Sequence, residues 1–233
     1  MRRVVLLLTT MGLALLIVSG IALAQSAPGE VPDASCQPTT SGPPHLLAFF
    51  RSSAKAAQTF TAGHTGLLTS AQVQVGDFEN EPTGIVMEIR TVDSSGTPTG
   101  VVLASTQIPA SEVPYGQFGV ATGHFSPGAP VEAGQKYAIV LRTSTGVQIR
   151  GVIWAGDESI PCPGALYQSS DSAPEVFQAV GPGFDGFFST FVTLRTAPQT
   201  KADCKKGGWK EFGFKNQGQC IASLQREQVQ TSQ

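Results

Sequence analysis

The residues Ile85-Val-Met-Glu-Ile-Arg-Thr-Val92 form the clearest strand pattern in the chain and indicate its fold class. Ile85, Met87, Ile89 and Thr91 share one face of an extended chain, and a period of two is typical of a half-buried strand. Similar short runs lie on both sides of it, separated by Gly, Pro, Asp and Ser, at 57–62, 67–75, 101–108, 116–125, 136–143, 147–154 and 187–194. Strands at intervals of about 8–12 residues are typical of a sandwich or barrel.

Polar turn sequences connect several of these runs. Asp93-Ser-Ser-Gly96 and Thr143-Ser-Thr-Gly146 resemble hairpin connections, and helical periodicity is confined to a short stretch near the C-terminus. We therefore expect an all-β fold over 46–196, an antiparallel β-sandwich of the jelly-roll type, in which the inward alternate residues form the core.

The N-terminus has the pattern of a secretory signal peptide over 1–24. Arg2 and Arg3 precede an apolar run that ends at Ala22-Leu-Ala24, so cleavage is predicted after Ala24. An uncleaved membrane anchor is the alternative, because the run is nearly as long as the roughly 20 residues that span a bilayer. With cleavage, we expect an extracellular protein without stable membrane insertion.

Charge and composition divide the remaining chain. Residues 57–194 carry 12 acidic and 4 basic side chains, whereas 195–220 carry 6 basic and 2 acidic ones. Such a shift indicates a boundary near Ala197-Pro198. We expect a flexible lead-in at 25–45, a C-terminal cysteine motif at 197–224 and a disordered tail at 225–233. The overall charge gives no reason to expect a nucleic-acid partner.

The four cysteines indicate two disulfides in an exported chain. Three pairings are open, but Cys204 and Cys220 share one short segment, which favours their mutual pairing and leaves Cys36 for Cys162. A zinc site is disfavoured because there is no C-x-x-C pair and the three histidines are scattered.

Five motifs between residues 55 and 194 together resemble a module of secreted bacterial proteins, which implies a jelly-roll-like β-sandwich found alone or beside catalytic and anchoring domains. They are Gln58-Thr-Phe-Thr-Ala62, Glu88-Ile-Arg90, Ser95-Gly-Thr-Pro-Thr-Gly-Val-Val-Leu-Ala-Ser105, Val131-Glu-Ala-Gly-Gln-Lys-Tyr137 and Tyr167-Gln-Ser-Ser-Asp171. Ala138 stands where that family usually has an aromatic residue, and Cys162 is not part of its pattern. Residues 200–220 resemble a short cysteine motif at the C-terminus of exported actinobacterial proteins.

Aromatic residues in the loop-rich stretch after 154 are candidates for sugar contacts. Sugar-binding sandwiches stack exposed aromatic rings on pyranose faces, and we place such a surface at Tyr167 and Gln168, with Trp154 nearby. The alternative is that Trp154 closes the end of the sandwich and that Phe177 and Phe184 belong to the core. The corresponding partner is a polysaccharide or a cell-wall polymer.

An acidic loop is the candidate metal site, and calcium is the metal to expect there. Asp77, Glu79, Asn80 and Glu81 offer oxygen ligands within five residues. The alternative is a solvated acidic turn, since the spacing is not that of an EF-hand. No other cofactor is expected.

Catalytic motifs find little support in the sequence. The G-x-G-x-x-G at 181–186 lacks the strand-then-helix context of a dinucleotide site, so it is interpreted as a turn before the last strand. There is no G-x-S-x-G and no H-E-x-x-H. We expect a non-catalytic binding or structural module, with a carbohydrate-binding module as the first alternative and a small secreted hydrolase as the second.

Overall fold

The computed structural model describes residues 29–38, 45–50, 53–78, 82–144, 151–157, 162–169, 175–195, 197–198, 200–210 and 212–230. Its strands are Glu30–Cys36 (β1), His45–Phe50 (β2), Ala56–Thr61 (β3), Gly66–Asp77 (β4), Ile85–Val92 (β5), Pro98–Ile108 (β6), Gly119–Val131 (β7), Lys136–Thr143 (β8), Val152–Asp157 (β9), Leu166–Ser169 (β10), Phe177–Ala179 (β11), Asp185–Gly186 (β12) and Phe188–Leu194 (β13). The helical elements are the short 3₁₀ turns Ala110–Glu112 and Gly208–Lys210 and the α-helix Gln217–Gln230 (α1).

The strands form two antiparallel sheets. The seven-stranded sheet has the order β1-β13-β4-β9-β12, with β2 also paired to β9 and β7 also paired to β4. The six-stranded sheet has the order β11-β10-β3-β8-β5-β6. The predicted all-β antiparallel sandwich is confirmed.

The core lies between the two sheets and follows the predicted alternation. Ile85, Met87 and Ile89 of β5 are fully buried, as is Val75 of β4 in the opposite sheet. Fully burying a side chain of this size contributes about 1.5–3 kcal/mol relative to leaving it exposed. The alternating apolar residues are therefore what holds the sheets face to face.

The expected flexible lead-in is wrong for residues 30–36. Glu30–Cys36 forms β1, which pairs antiparallel with β13 in the register Glu30↔Thr193 to Cys36↔Phe188, with a bulge between Pro32 and Ser35. Proline is tolerated in a strand at the edge of a sheet or at a bulge. Pro32 meets both conditions, because β1 is an edge strand and its bulge begins at Pro32. The strand is stabilised by a partner about 160 residues away in sequence, so local composition did not reveal it.

Both favoured disulfides are present. Cys36 pairs with Cys162 across a sequence separation of 126 residues, and Cys204 pairs with Cys220 across 16. The first bond joins the end of β1 to the connection between β9 and β10. Closing so long a loop restricts the unfolded chain strongly, an effect of about 4–5 kcal/mol in the chain-entropy treatment.

The C-terminal unit, residues 200–224, contains its own small apolar cluster. Cys204, Cys220 and Leu224 are buried there, and partly buried side chains pack around them, namely Trp209, Phe212, Phe214 and Ile221. The helix α1 begins inside the unit and continues to Gln230. A disordered tail from residue 225 is therefore wrong for 225–230, where the Gln, Arg and Glu residues are good helix formers. None of the helices described has the length and apolar character needed to span a bilayer.

Candidate functional site

The outer face of the six-stranded sheet has an apolar floor. Ala57 of β3 and Ala138 and Val140 of β8 point away from the main core, yet they are fully buried. Phe177 of β11 and Tyr167 of β10 pack against them. Because neighbouring residues of a strand point to opposite faces, the same strands serve both the core and this outer surface.

Charged side chains adjoin the apolar floor in a connected network. Arg90 of β5 donates from Nε to Glu88 Oε2 at 2.7 Å and from Nη1 to Glu175 Oε2 at 2.9 Å. Lys55 Nζ lies 2.6 Å from the other oxygen of Glu175, and Arg142 Nε lies 3.6 Å from Glu88. The Arg90 guanidinium also stacks over the Phe177 ring, 5.9 Å from its centroid. We call Lys55, Glu88, Arg90, Arg142 and Glu175 the outer-face network.

Burial and pairing act in opposite directions on the network. Burial alone would lower the pKa of Arg90, but its hydrogen bonds to Glu175 and Glu88 raise that pKa above the ordinary value. Burial would raise the pKa of Glu175, but the hydrogen bonds from Lys55 and Arg90 bring it below the ordinary value. Both groups are therefore held in their charged forms, which is what a structural ion-pair network requires.

Tyr167 lies on this outer face, but Gln168 does not share it. Tyr167 is half-buried, opposite Ala57 on one side and Ala179 on the other. Gln168 follows it in β10, so its side chain projects to the opposite face of the strand. The two residues therefore do not form one contact surface. Tyr167 instead shares its apolar cluster with Phe177, over whose ring Arg90 lies.

Trp154 belongs to the core rather than to a surface. Its side chain is 0% exposed, and its indole Nε1 donates to the Phe187 carbonyl oxygen at 2.9 Å. A Cβ added at Gly186 would lie 2.9 Å from the indole, so glycine is needed where β12 crosses this ring. The placement of Trp154 in a ligand surface is wrong, and the alternative of a core role is supported. Phe184 also packs partly buried against the main core.

The acidic loop is described only at its beginning. Asp77 ends β4, is fully buried, and accepts a hydrogen bond from the Thr83 amide at 2.7 Å. Glu79, Asn80 and Glu81 lie outside the described residues. Among the residues that the structure does describe, no group of three or more His, Cys, Asp or Glu side chains is arranged to hold a metal. The calcium site stays a prediction.

A second polar group, which the sequence did not suggest, connects the two sheets. Gln58 Nε2 donates to Asp185 Oδ1 at 2.7 Å, and Gln58 Oε1 accepts from the Gly186 amide at 2.9 Å. Asp185 also accepts from the Cys162 amide at 3.2 Å. These bonds fix Asp185 and Gly186, which form β12 directly after the turn at 181–184, so the segment does not open a helix. The interpretation of this glycine-rich segment as a turn is confirmed.

The pairing of His64 with Asp33 also differs from a catalytic arrangement. Asp33 Oδ1 accepts from the Gly63 and His64 amides at 2.8 and 2.7 Å and lies 3.2 Å from His64 Nδ1. Thr190 Oγ1 bonds to the other oxygen of the same carboxylate, at 3.3 Å. In a Ser-His-Asp triad the hydroxyl bonds to the histidine and not to the carboxylate. Asp33 therefore fastens β1 to β13 and to the turn before β4.

Sequence reasoning missed the outer-face network for an identifiable reason. Glu88 and Arg90 are two apart in a strand, so the sequence already placed them on one face. Their partner Glu175 is 85 residues away from Arg90, and no local pattern relates them. The comparison with models of protein families gives no match, and no curated protein matches the chain. The fold and the site geometry therefore carry the functional interpretation.

Proposed function

We propose that this chain is an exported, non-catalytic β-sandwich that acts outside the cytoplasm as a binding or structural module. The observation that carries the proposal is the pair of disulfides, because such bonds persist in oxidising compartments and are rare in the cytosol. The signal-peptide pattern at 1–24 supports the same location. The bonding of His64 and Thr190 to one carboxylate supports a structural role for those groups.

Expression of the full chain in a bacterial host tests the location. We expect a protein in the medium or periplasm that begins at Gln25, with both disulfides closed, as mass spectrometry would show. The matched variant Ala24→Arg places a large charged residue at the cleavage position, so it should retain the leader. Recovery of the unchanged chain in the cytosol, with reduced cysteines, would overturn the proposal.

A polysaccharide is the second candidate, favoured by the position of Tyr167. Its half-buried ring packs on the apolar floor of the outer face, together with Phe177, over whose ring Arg90 of the outer-face network lies. Rings offer an apolar surface to the C–H faces of sugars, while charged groups hold hydroxyls. In this candidate the site consists of Tyr167 with Arg142 and the exposed part of Glu175.

A pull-down on insoluble polysaccharides and purified cell walls tests this candidate. Tyr167→Ala should abolish retention with folding intact, whereas Tyr115→Ala, which removes a half-exposed ring outside this face, should not. Repeating the pull-down with and without calcium tests the loop that begins at Asp77. Failure on every matrix would leave a structural or protein-binding role, and turnover on an ester or glycoside panel would support a hydrolase instead.

A further inference from the structure

The C-terminal unit presents its lysines to solvent, while the side chains of its apolar cluster are buried or partly buried. Lys201, Lys205, Lys206, Lys210 and Lys215 are all exposed. Asp203, an acidic residue of the unit, lies 3.5 Å from Arg195 and accepts from the Thr200 amide at 2.8 Å. Residues 200–224 carry five basic and two acidic side chains, so the unit has a net positive charge, whereas the sandwich sequence is acidic.

The backbone at Lys206 gives an independent reason to assign a role to these side chains. Lys206 has φ = 50°, and it is the single residue other than glycine with positive φ among those the structure describes. This region is unfavourable for a residue with a Cβ, and such outliers concentrate at functional sites. Gly207 follows with φ = 95°. Because glycine adopts positive φ readily, a glycine at 206 would form the same turn without strain. Lys206 therefore occupies a position that its backbone disfavours.

The lysines are attached to a fixed scaffold. The Lys205 amide donates to the Ala202 carbonyl and the Gly208 amide donates to the Lys205 carbonyl, both at 2.9 Å. The Cys204–Cys220 disulfide holds this turn against the start of α1. Lys210 lies over the Trp209 ring, 5.4 Å from its centroid. A charged surface that is already ordered loses less conformational entropy on binding than a flexible basic tail.

We infer that the C-terminal unit binds a flexible anionic polysaccharide, one that carries phosphate or carboxylate groups along its length. The charge complements such a polymer, and the partly buried aromatic residues lie among the lysines. The five lysines precede α1 in the chain and none lies on it, so they are not aligned along a helix that could enter a DNA groove. A flexible polymer can adapt to lysines on several turns, whereas a duplex needs an element that fits its groove.

Binding of the purified protein to two soluble probes tests the inference. Polygalacturonate supplies carboxylates and a phosphomannan supplies phosphates, so this pair of polysaccharides distinguishes the two sources of negative charge. We expect binding to at least one probe at low ionic strength, with affinity that falls steeply as salt is added. The double variant Lys205→Ser/Lys206→Gly should weaken binding about 25-fold, at about fivefold for each lysine near a charged surface.

Controls separate this inference from the role of the sandwich. Lys136→Ser removes an exposed lysine from β8 and should leave binding unchanged, and so should Tyr167→Ala. A glycine at 206 fits the positive φ of that position, and hydrogen exchange over residues 200–224 checks that the unit stays folded in the variants. Lys215→Ser, at another turn, should also weaken binding, by about fivefold. Absence of binding to both probes at low salt would overturn the inference, and so would equal or tighter binding of duplex DNA.

Discussion

The two tryptophans of the chain lie in regions that are stabilised in different ways. Trp154 is fully buried within the sandwich, where two sheets enclose a continuous core. The buried charged side chains of the sandwich, Arg90 and Glu88, are paired with each other in the outer-face network. Trp209 is partly buried in the C-terminal unit, where three of the side chains that the structure describes are buried, two of them the cysteines of a disulfide. A large core can position charged groups on its surface, whereas a small one depends on a covalent bond and leaves its charges in solvent.

We expect the largest loss of stability from truncation of Trp154. Trp154→Ala should cost about 4 kcal/mol of unfolding free energy, because it leaves a cavity and removes the donor to the Phe187 carbonyl. Trp209→Ala is the matched variant and should leave the sandwich transition within about 0.5 kcal/mol. Urea unfolding monitored by circular dichroism would measure both, and equal costs would contradict the contrast between the two regions.

Removal of Arg90 tests whether the charges of the sandwich need their partners. Arg90→Ala leaves the largely buried Glu88 with Arg142 at 3.6 Å as its remaining cation, whereas Glu175 keeps Lys55 at 2.6 Å. We therefore expect a loss of about 3 kcal/mol, which comes mostly from Glu88. Lys201→Ala removes an exposed lysine from the C-terminal unit and should change stability little. The free energy of unfolding at neutral pH is the readout, and an Arg90→Ala protein as stable as the parent would show that the network contributes nothing.

Removal of the second disulfide tests the other half of the contrast. Cys204→Ser with Cys220→Ser should destabilise the C-terminal unit by about 3 kcal/mol at most. The sandwich should keep its unfolding transition, because its core contains neither residue. Hydrogen exchange would detect this as lost protection confined to about residues 200–224. Loss of protection in β13 as well would show that the two regions unfold together.

Acidification tests the contribution of Glu175 to the free energy of unfolding, and here we expect the smallest change. The pKa of Glu175 lies below its ordinary value of 4.5 in the folded protein. Its contribution to stability is therefore complete above that pH and is lost as the pH falls through the folded-state value. Glu175→Gln should be less stable than the parent at neutral pH, and its stability should decline less between about pH 5 and 3. The exposed Glu132→Gln serves as control, and parallel curves for Glu175→Gln and the parent would contradict the assignment.

Local alternation was sufficient to predict much of the sandwich. Ile85, Met87 and Ile89 are buried as their spacing predicts, since a period of two places them on one face whatever the strand pairs with. The strand Glu30–Cys36 was missed because its pairing with β13 depends on a distant partner. The continuation of α1 past residue 224 was missed for a different reason. Its polar residues favour a helix by intrinsic propensity but give no apolar stripe that would indicate one in the sequence.

The candidate site was less predictable than the fold. Tyr167 lies on the outer face of the six-stranded sheet, and its neighbours in the apolar cluster come from β3, β5, β8 and β11, which only the sheet order brings together. Trp154 was ambiguous because a large aromatic residue near a loop suits either a core or a surface. The exposed lysines of the C-terminal unit were visible in the sequence, whereas the positive φ of Lys206 required the structure.

The pairing of β1 with β13 determines how the molecule would respond to mechanical force. Glu30 lies opposite Thr193, so the chain enters and leaves the sandwich at the same end of the sheet. Tension between the N-terminus and the C-terminal unit would peel β1 from β13 starting at Glu30, and the several bonds of the Asp33 carboxylate would resist it most before Cys36 is reached. Peeling would stop at Cys36, where the disulfide to Cys162 transfers the load to a covalent bond. A protein attached at both ends could thus extend by about six residues of β1 while the rest of the sandwich stays folded.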